Sequence, residues 1–455
     1  RSLVNALHDA GIKVVLDFVV NHTSIQHPFM QNVLEYGENS PWADFYLWDG
    51  EPGNSAYEYF FDWASLPNLN HNNKDVRDYF IKAAKYWVEE FDIDGYRCDV
   101  AWGVEERNTD FWQEWRAAIK NMKPEVFLEA EASSSQNIYY QNRFDSANDW
   151  DLRNKIINAT SSTVTIDVVD SELRKPYPKY ARPFRFVENH DEVRVASSHD
   201  TQRSKLMHTI LMTANGVPLI YSGGEVGEVT NRGIIDWSDP DKIRPYFKSL
   251  IKTRKSYLTN PTIERITNSY PDKRYTYTSK SDENILLTYV NFDSDYEERD
   301  VFINRDLLPN DGVSTYYLTN LYNGEFIEIL QGDNTISLDT LYGHEAIVYY
   351  YGTEKITVDV SENEVLIIEN YQLSQNYPNP FNPVTQISYQ IPETTFVSIK
   401  VYDLLGREVT TLVNSQVATG RYNVTFNAAN LSSGIYFYTM KAGDFVSTKK
   451  LILLK

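Results

Sequence analysis

The sequence predicts a multidomain protein: a (β/α)8 barrel with a short inserted segment, then an all-β sandwich, then a second, smaller all-β sandwich. Three observations predict it. Over residues 1–260, apolar runs of strand length alternate with helical periodicity, which calls for a parallel sheet. In each repeat the polar residues gather at or just past the strand's C-terminal end, the layout of a barrel whose site lies on that face. Beyond that point, short Tyr-, Val- and Ile-rich strands broken by turn signals take over. The expected boundaries are 1–260 for the barrel with 23–70 inserted, 261–355 for the first sandwich, 356–373 for a linker and 374–455 for the last module.

Residues 2–11 read as a helix closed by Gly11. The run IKVVLDFVV, 12–20, is almost continuously apolar and is expected to be a strand buried on both faces. It leads through Asp17 to Asn21 and His22. Residues 23–70 lack clear periodicity and are rich in Pro, Gly, Asn and Trp, and excursions of that length in a compact domain are usually functional. A helix over 74–91 precedes GYRCDVA, 95–101. In that strand Arg97 and Asp99 share one face, so the guanidinium can hold the carboxylate ionised and oriented. FWQEWRAAIKNM reads as helix, EVFLEAEA (125–132) as strand, and a weak strand is expected near 143–150. FRFVENHDEVR, 184–194, reads as a strand with a polar end. RSKLMHTILMTANG is helical up to Gly216, and VPLIYSGGEVG, 217–227, is a strand running into a Gly-rich loop.

The chain has 455 residues, 42% hydrophobic, enough for several cores. A net charge of −20 argues against nucleic acid as a partner. The single cysteine, Cys98, excludes an intrachain disulfide and is expected to be a small buried residue. No apolar run reaches the length of a transmembrane segment. Charge also marks a boundary: residues 374–455 carry 7 Lys/Arg against 4 Asp/Glu, a net of +3, while the remainder carries 36 against 59, a net of −23.

Three carboxylates, Asp99, Glu131 and Asp191, fall at the ends of separate predicted strands, and His22 and His190 fall at equivalent ends. Two carboxylates across a glycosidic bond suffice for hydrolysis, one attacking the anomeric carbon and one protonating the leaving oxygen. A third can favour the cationic transition state. Neutral imidazoles can hydrogen-bond hydroxyls without competing charge. Glu129, two residues before Glu131, faces the same way and is the competing acid; Glu131 is preferred for its place nearer the strand end. Glu225 reads first as a capping residue. Trp42, Trp48 and Trp63 read mainly as packing for the excursion, and Trp102 as the aromatic nearest to substrate.

These motifs, in order, resemble the α-amylase family, glycoside hydrolase family 13: DFVVNH (17–22), LPNLN (66–70), GYRCDVA (95–101), the AEA of 130–132, FVENHD (186–191) and GVPLIYSGGEVG (216–227). The resemblance covers about residues 1–350. It implies Asp99 as nucleophile, Glu131 as general acid/base and Asp191 as transition-state stabiliser, with retention of configuration. It implies that Arg97 orients Asp99, that His22 and His190 hydrogen-bond the sugar, and that Asp17 and Asn21 hold the local network. The substrate implied is an α-1,4-glucan, by hydrolysis or by transfer to another sugar; a non-catalytic surface glucan-binding protein is the reading from another class. Intact Asp99, Glu131 and Asp191 argue against that last one.

Two departures stand out. Many α-amylases carry Lys-His where this chain has Trp102 and Gly103, and an Asp where it has Asn68. No cofactor is therefore certain, and Ca2+ is left open with Asn21 as the one ligand kept. Family barrels also have two strands before DFVVNH that have no counterpart here, so a barrel lacking its first two strands, a fragment inactive or poorly folded by itself, is expected. The last module resembles the sorting domain of the type IX secretion system, through NYPNPFNP (376–383), IKVYDLLGREV (399–409), the run at 420–426, LSSGIYFYTM (431–440) and KKLILLK (449–455). That resemblance implies the type IX machinery as partner and a secreted or cell-surface location reached across the outer membrane.

Overall fold

A computed structural model describes residues 1–108, 110–239, 243–294, 301–358, 371–373, 376, 379–418 and 420–454. Most of the expected linker, residues 359–370, lies outside them, as do 374–375 and Tyr377 and Pro378 of the NYPNPFNP motif. The chain forms two compact units. The first comprises Arg1–Ile156, Ser171–Val187 and Asn215–Leu219, and the second comprises Ile157–Asp170, Glu188–Ala214 and Ile220–Lys455.

The first unit is built on a six-stranded sheet: β1 (Val15–Val19), β2 (Gly95–Asp99), β3 (Phe127–Ser133), β4 (Ser146–Asn148), β5 (Phe184–Arg185) and β6 (Val217–Pro218). The strands lie in chain order and pair in parallel throughout. That is the strand arrangement of a β/α barrel wall. Register sorts the side chains by face. Phe18, Cys98, Ala130 and Ala147 align and are buried among Tyr96, Trp112, Trp115 and Phe144. On the other face Asp17 pairs with Arg97, and Arg97 with Glu129.

Local chemistry places the helices between these strands. α1 (Ser2–Asp9) precedes β1. α2 (Pro28–Tyr36) lies inside the excursion, with Pro28 in its first turn and His27 accepting from Phe29 N, a start signal that apolar periodicity alone overlooks. α3 (Lys74–Phe91) is capped by Asn73, whose side chain accepts from Asp75 N, and stops at Asp92 in the left-handed region. α4 (Ala101–Arg107) and α5 (Phe111–Met122) follow β2, and α5 buries Phe111, Trp112, Trp115 and Ile119.

Three expectations need correction. β1 is not buried on both faces: Val15 and Val19 are exposed, because β1 ends the sheet and Asp17 shares their face. The strands expected over 184–194 and 217–227 are two residues long. After Val187 the backbone leaves the ladder for a turn in which Asn189 Oδ1 accepts from Asp191 N and Glu192 N.

The second unit carries the β-rich part of the chain. One sheet of six strands spans Thr262–Arg265, Arg274–Ser281, Asn284–Asn291, Tyr316–Asn320, Phe326–Ile329 and Ala346–Gly352, and Val301–Asn304 pairs with Thr335–Leu338. Helices Thr201–Thr213 and Arg244–Tyr257 belong to this unit. Met212, Phe247 and Leu250 share a core with Leu286, Tyr322 and Val348. The last module is a three-stranded and a four-stranded antiparallel sheet around Phe381, Ile387, Ile399, Tyr438 and Leu451. Here Asn376 donates to Thr385 Oγ1 (3.0 Å) and Asn379 to Lys450 O (3.1 Å), so the motif's asparagines tie its start into the sheets. No helix among the described residues is long and apolar enough to cross a membrane.

Candidate active site

One guanidinium organises the C-terminal edge of the first unit's sheet. Arg97 Nη1 donates to Asp99 Oδ1 at 2.7 Å and to Asp17 Oδ1 at 2.9 Å, while Nη2 reaches Glu131 Oε1 at 2.8 Å. Three carboxylates from β1, β2 and β3 therefore converge on one cation. Burial works against the charge of Arg97, but Glu131, Asp17 and Asp99 outweigh it and raise its pKa. The strand period puts Arg97 and Asp99 on one face, as the sequence predicts.

Backbone geometry fixes the second carboxylate. Val100, directly after Asp99, sits in the left-handed region at φ 46°, which is strained for a β-branched residue. Its N–H donates to Glu131 Oε2 at 2.7 Å. Glu131 thus has one oxygen on Arg97 and the other on the backbone of the Asp99 strand. Glu129 differs: it is almost fully buried, and the Asn148 amide, turned so that its nitrogen faces Glu129, donates to Oε1. Burial pushes its pKa up to about 8, Arg97 opposing and Glu131 and Asp17 reinforcing the rise. A carboxyl this enclosed belongs to the sheet's interior, whereas Glu131 keeps 16% of its side chain exposed.

His22 lies half-buried beside this cluster. Its ring stacks on Phe60, centroids 5.1 Å apart, and Nδ1 faces Asn21 Nδ2 at 3.1 Å. Burial lowers its pKa, Asp99 raises it and Arg107 lowers it, so the ring is neutral near pH 7. Trp102 stands at 6.3 Å from Phe60 and 5.9 Å from Phe61, and Phe61 and Trp63 are exposed. Trp42 stacks face to face on Phe29 at 3.7 Å and Trp48 donates to Ala43 O at 2.7 Å, so both pack the excursion, while Trp63 is exposed and meets Phe60 edge-on at 6.0 Å. Cys98 is fully buried on the opposite face, as expected.

The second unit holds His190 and Asp191. Asp191 Oδ1 accepts from Arg232 Nη2 at 2.5 Å, and Oδ2 faces His190 Nε2 at 3.1 Å. The segment is anchored by a buried pair: Glu188 accepts from Arg194 Nη1 (3.1 Å) and Val195 N (2.7 Å), and Arg194 lies over the Tyr221 ring at 3.9 Å. Gly224 is glycine for want of space, since a Cβ there would stand 2.7 Å from Glu188 Oε1. Glu225 accepts from Gly223 N at 3.0 Å and closes its own turn.

Calcium at Asn21 does not fit. Asn21 is fully buried, and its Oδ1 accepts from Arg107 Nη2. A hard cation needs that oxygen free and carboxylates around it. Here a guanidinium already occupies it, and Asn68 supplies an amide in place of a carboxylate. Among the described residues no three His, Cys, Asp or Glu side chains stand together as a metal cluster. Sequence reasoning missed Arg107, Arg232 and Phe60. Each acts on a residue 38 or more positions away, which no local pattern announces.

The chain is similar to "Alpha-amylase 3" of Dictyoglomus thermophilum, 31% identical over 289 residues, covering 58% of this chain and 56% of that protein. It is 27% identical over 366 residues to a maltogenic alpha-amylase of Bacillus acidopullulyticus, covering 74% and 60%. A maltogenic alpha-amylase structure from Thermotoga neapolitana superposes with a TM-score of 0.62 at 22% identity, over 77% of this chain and 80% of that one, which speaks to the fold. The chain spans less than two thirds of the length of the two sequence relatives. Residues 375–454 match the secretion system C-terminal sorting domain, which points to export or display at the cell surface. Residues 1–257 match the alpha amylase catalytic domain, more than half of the chain, and with Asp99 and Glu131 held by one arginine at the strand ends the conclusion is plain: the chain belongs to the α-amylase catalytic-domain family.

Proposed function

We propose that this protein is a retaining glycoside hydrolase that cleaves α-1,4-glucosidic bonds in starch, glycogen or maltodextrins. The observation that carries this reading is the single guanidinium of Arg97 bridging Asp99 and Glu131. Two carboxylates held that close suit a nucleophile with an acid/base partner rather than a pair spaced to admit a water between them and the sugar. In the first step Asp99 attacks the anomeric carbon as Glu131 gives its proton to the leaving oxygen, forming a covalent glycosyl-enzyme. In the second, Glu131 takes a proton from water, which displaces Asp99. Arg97 and Asp17 keep Asp99 oriented and Val100 N–H fixes Glu131. His22, neutral, hydrogen-bonds sugar hydroxyls, and Trp102 offers an apolar face to the ring. The family resemblance gives Asp191, which Arg232 and His190 orient within the second unit, the part of favouring an oxocarbenium-like transition state. The maltogenic amylases among its relatives support the substrate class. The sorting domain supports export across the outer membrane by the type IX machinery.

The test is reducing-sugar release from soluble starch and maltodextrins, with the anomer formed followed by NMR. Asp99→Asn and Glu131→Gln are each expected to lose at least about a thousandfold in kcat. An initial product of inverted configuration, or full activity in Asp99→Asn, defeats the mechanism. Sugar transfer dominating over hydrolysis favours a transglycosylase, and binding without any cleavage favours a surface glucan-binding protein.

A further inference from the structure

We propose that Arg107 is a built-in cation that takes the place of a structural metal ion and makes the order of the active-site edge independent of calcium. Asn21 is the fully buried residue where β1 gives way to the excursion. Its backbone carbonyl accepts from Leu69 N at 3.0 Å, on the chain returning from the excursion. The Arg107 guanidinium reaches the same carbonyl at 3.4 Å and the Asn21 side-chain oxygen more closely. The Asn21 amide nitrogen faces His22 Nδ1 at 3.1 Å and Asn68 Oδ1 at 3.5 Å. Both ends of the excursion therefore gather at one side chain, and its partner is the last residue of α4, the helix that begins two residues after Asp99.

Two neighbouring residues fit the guanidinium rather than a metal. Gly103 faces the contact: a Cβ there would stand 2.9 Å from Asn21 Oδ1 and 3.7 Å from Arg107 Nη1, so any larger residue would crowd the pair. Asn68 brings a neutral amide, which spares a single positive charge the excess acid that a divalent ion needs. Arg107 is itself largely withdrawn from water, with its Nε buried and without a partner among the described residues. That burial lowers its pKa, and Glu58 and Glu106 raise it. An always-charged donor can sit there, and its Nη2 alone reaches both oxygens of Asn21. Among the described residues the hydrogen bonds of Arg107 go to Asn21 and not to Asp99 or Glu131, so it is a positioning residue: it fixes the roots of the excursion to the helix that follows Asp99.

The test uses the full chain. Melting temperature without substrate is measured for the wild type after exhaustive chelation and after adding millimolar calcium, together with kcat and KM. All three are expected to be unchanged by either treatment. Arg107→Met is expected to melt lower and to lose about tenfold in kcat with KM moving less than about threefold, as for a residue that aligns reacting groups rather than binding substrate. Arg107→Lys, which keeps the charge but not the fork, is expected to recover part of both losses. A wild type whose melting temperature falls on chelation and returns with calcium overturns the proposal. So does an Arg107→Lys variant no better than Arg107→Met, since packing alone would then explain the residue. The chelation measurement stands even if Arg107→Met fails to fold, and the melting readout stands whatever the glucan.

Discussion

Glu129→Gln is expected to stabilise the protein in alkali and leave it little changed in acid. Glu129 is almost fully buried and stays protonated in the fold to about pH 8, against its ordinary value of 4.5. In the unfolded chain it ionises near that ordinary value. Between the two pH values the unfolded chain binds fewer protons than the fold, so stability falls as pH rises. The contribution is fully present below pH 4.5 and gone above about pH 8. At about 1.4 kcal/mol per pH unit the window is worth roughly 5 kcal/mol, an upper figure for an interior that relaxes around the charge. Glutamine keeps the shape and the neutrality at every pH, so the variant escapes the loss. Urea unfolding of both proteins at about pH 5, 6.5 and 8 reads the effect. The stability difference between variant and wild type should grow by several kcal/mol across the series. A difference that stays constant refutes the argument, because a carboxyl already ionised in the fold gives no such slope. On the proposed mechanism the same variant separates the two candidate acids: it should keep glucan cleavage within about threefold, while Glu131→Gln should abolish it.

The remaining expectations concern burial and charge. His71 is buried with Nε2 on Val20 O at 2.7 Å, and burial lowers its pKa to about 4, the Val20 carbonyl opposing and Arg107 and Arg77 reinforcing. A depressed imidazole contributes stability that is present above 6.5 and lost as pH falls to about 4, worth roughly 3 kcal/mol, so His71→Gln should flatten acid unfolding in that window. Glu188→Ala leaves the buried Arg194 guanidinium without its carboxylate and should cost about 3–5 kcal/mol, read by denaturant unfolding; a loss under about 1 kcal/mol means that Ser222 O and Thr230 O suffice as partners.

The barrel wall was legible in sequence because its strands obey two local rules. Period-2 alternation in GYRCDVA places Arg97 with Asp99 and Cys98 opposite, and β2 shows both. Helices α3 and α5 were legible because a cap or an apolar stripe is a matter of three or four neighbouring residues. Strand length was not. The pattern of FRFVENHDEVR runs on past Val187, but Asn189 satisfies the next amides with its own side chain, and an Asx turn leaves no mark on hydrophobic period. Nor was the burial of β1, since an apolar run reports what a strand can hide and not how many neighbours it has.

Sequence by itself named the candidates for the chemistry: Asp99, Glu131 and Asp191, each by residue type at a strand end. Only the tertiary structure decided which charges they meet. Glu129 and Glu131 are equivalent by strand period, yet one is sealed in the sheet and the other is open, because depth along a strand is set by packing. Asn21 reads as a metal ligand in sequence, yet its oxygen is taken by Arg107, 86 positions away. Local patterns fix what a side chain can do; long-range packing fixes the partner, since a Coulomb or hydrogen-bond energy depends on distance in space and not along the chain.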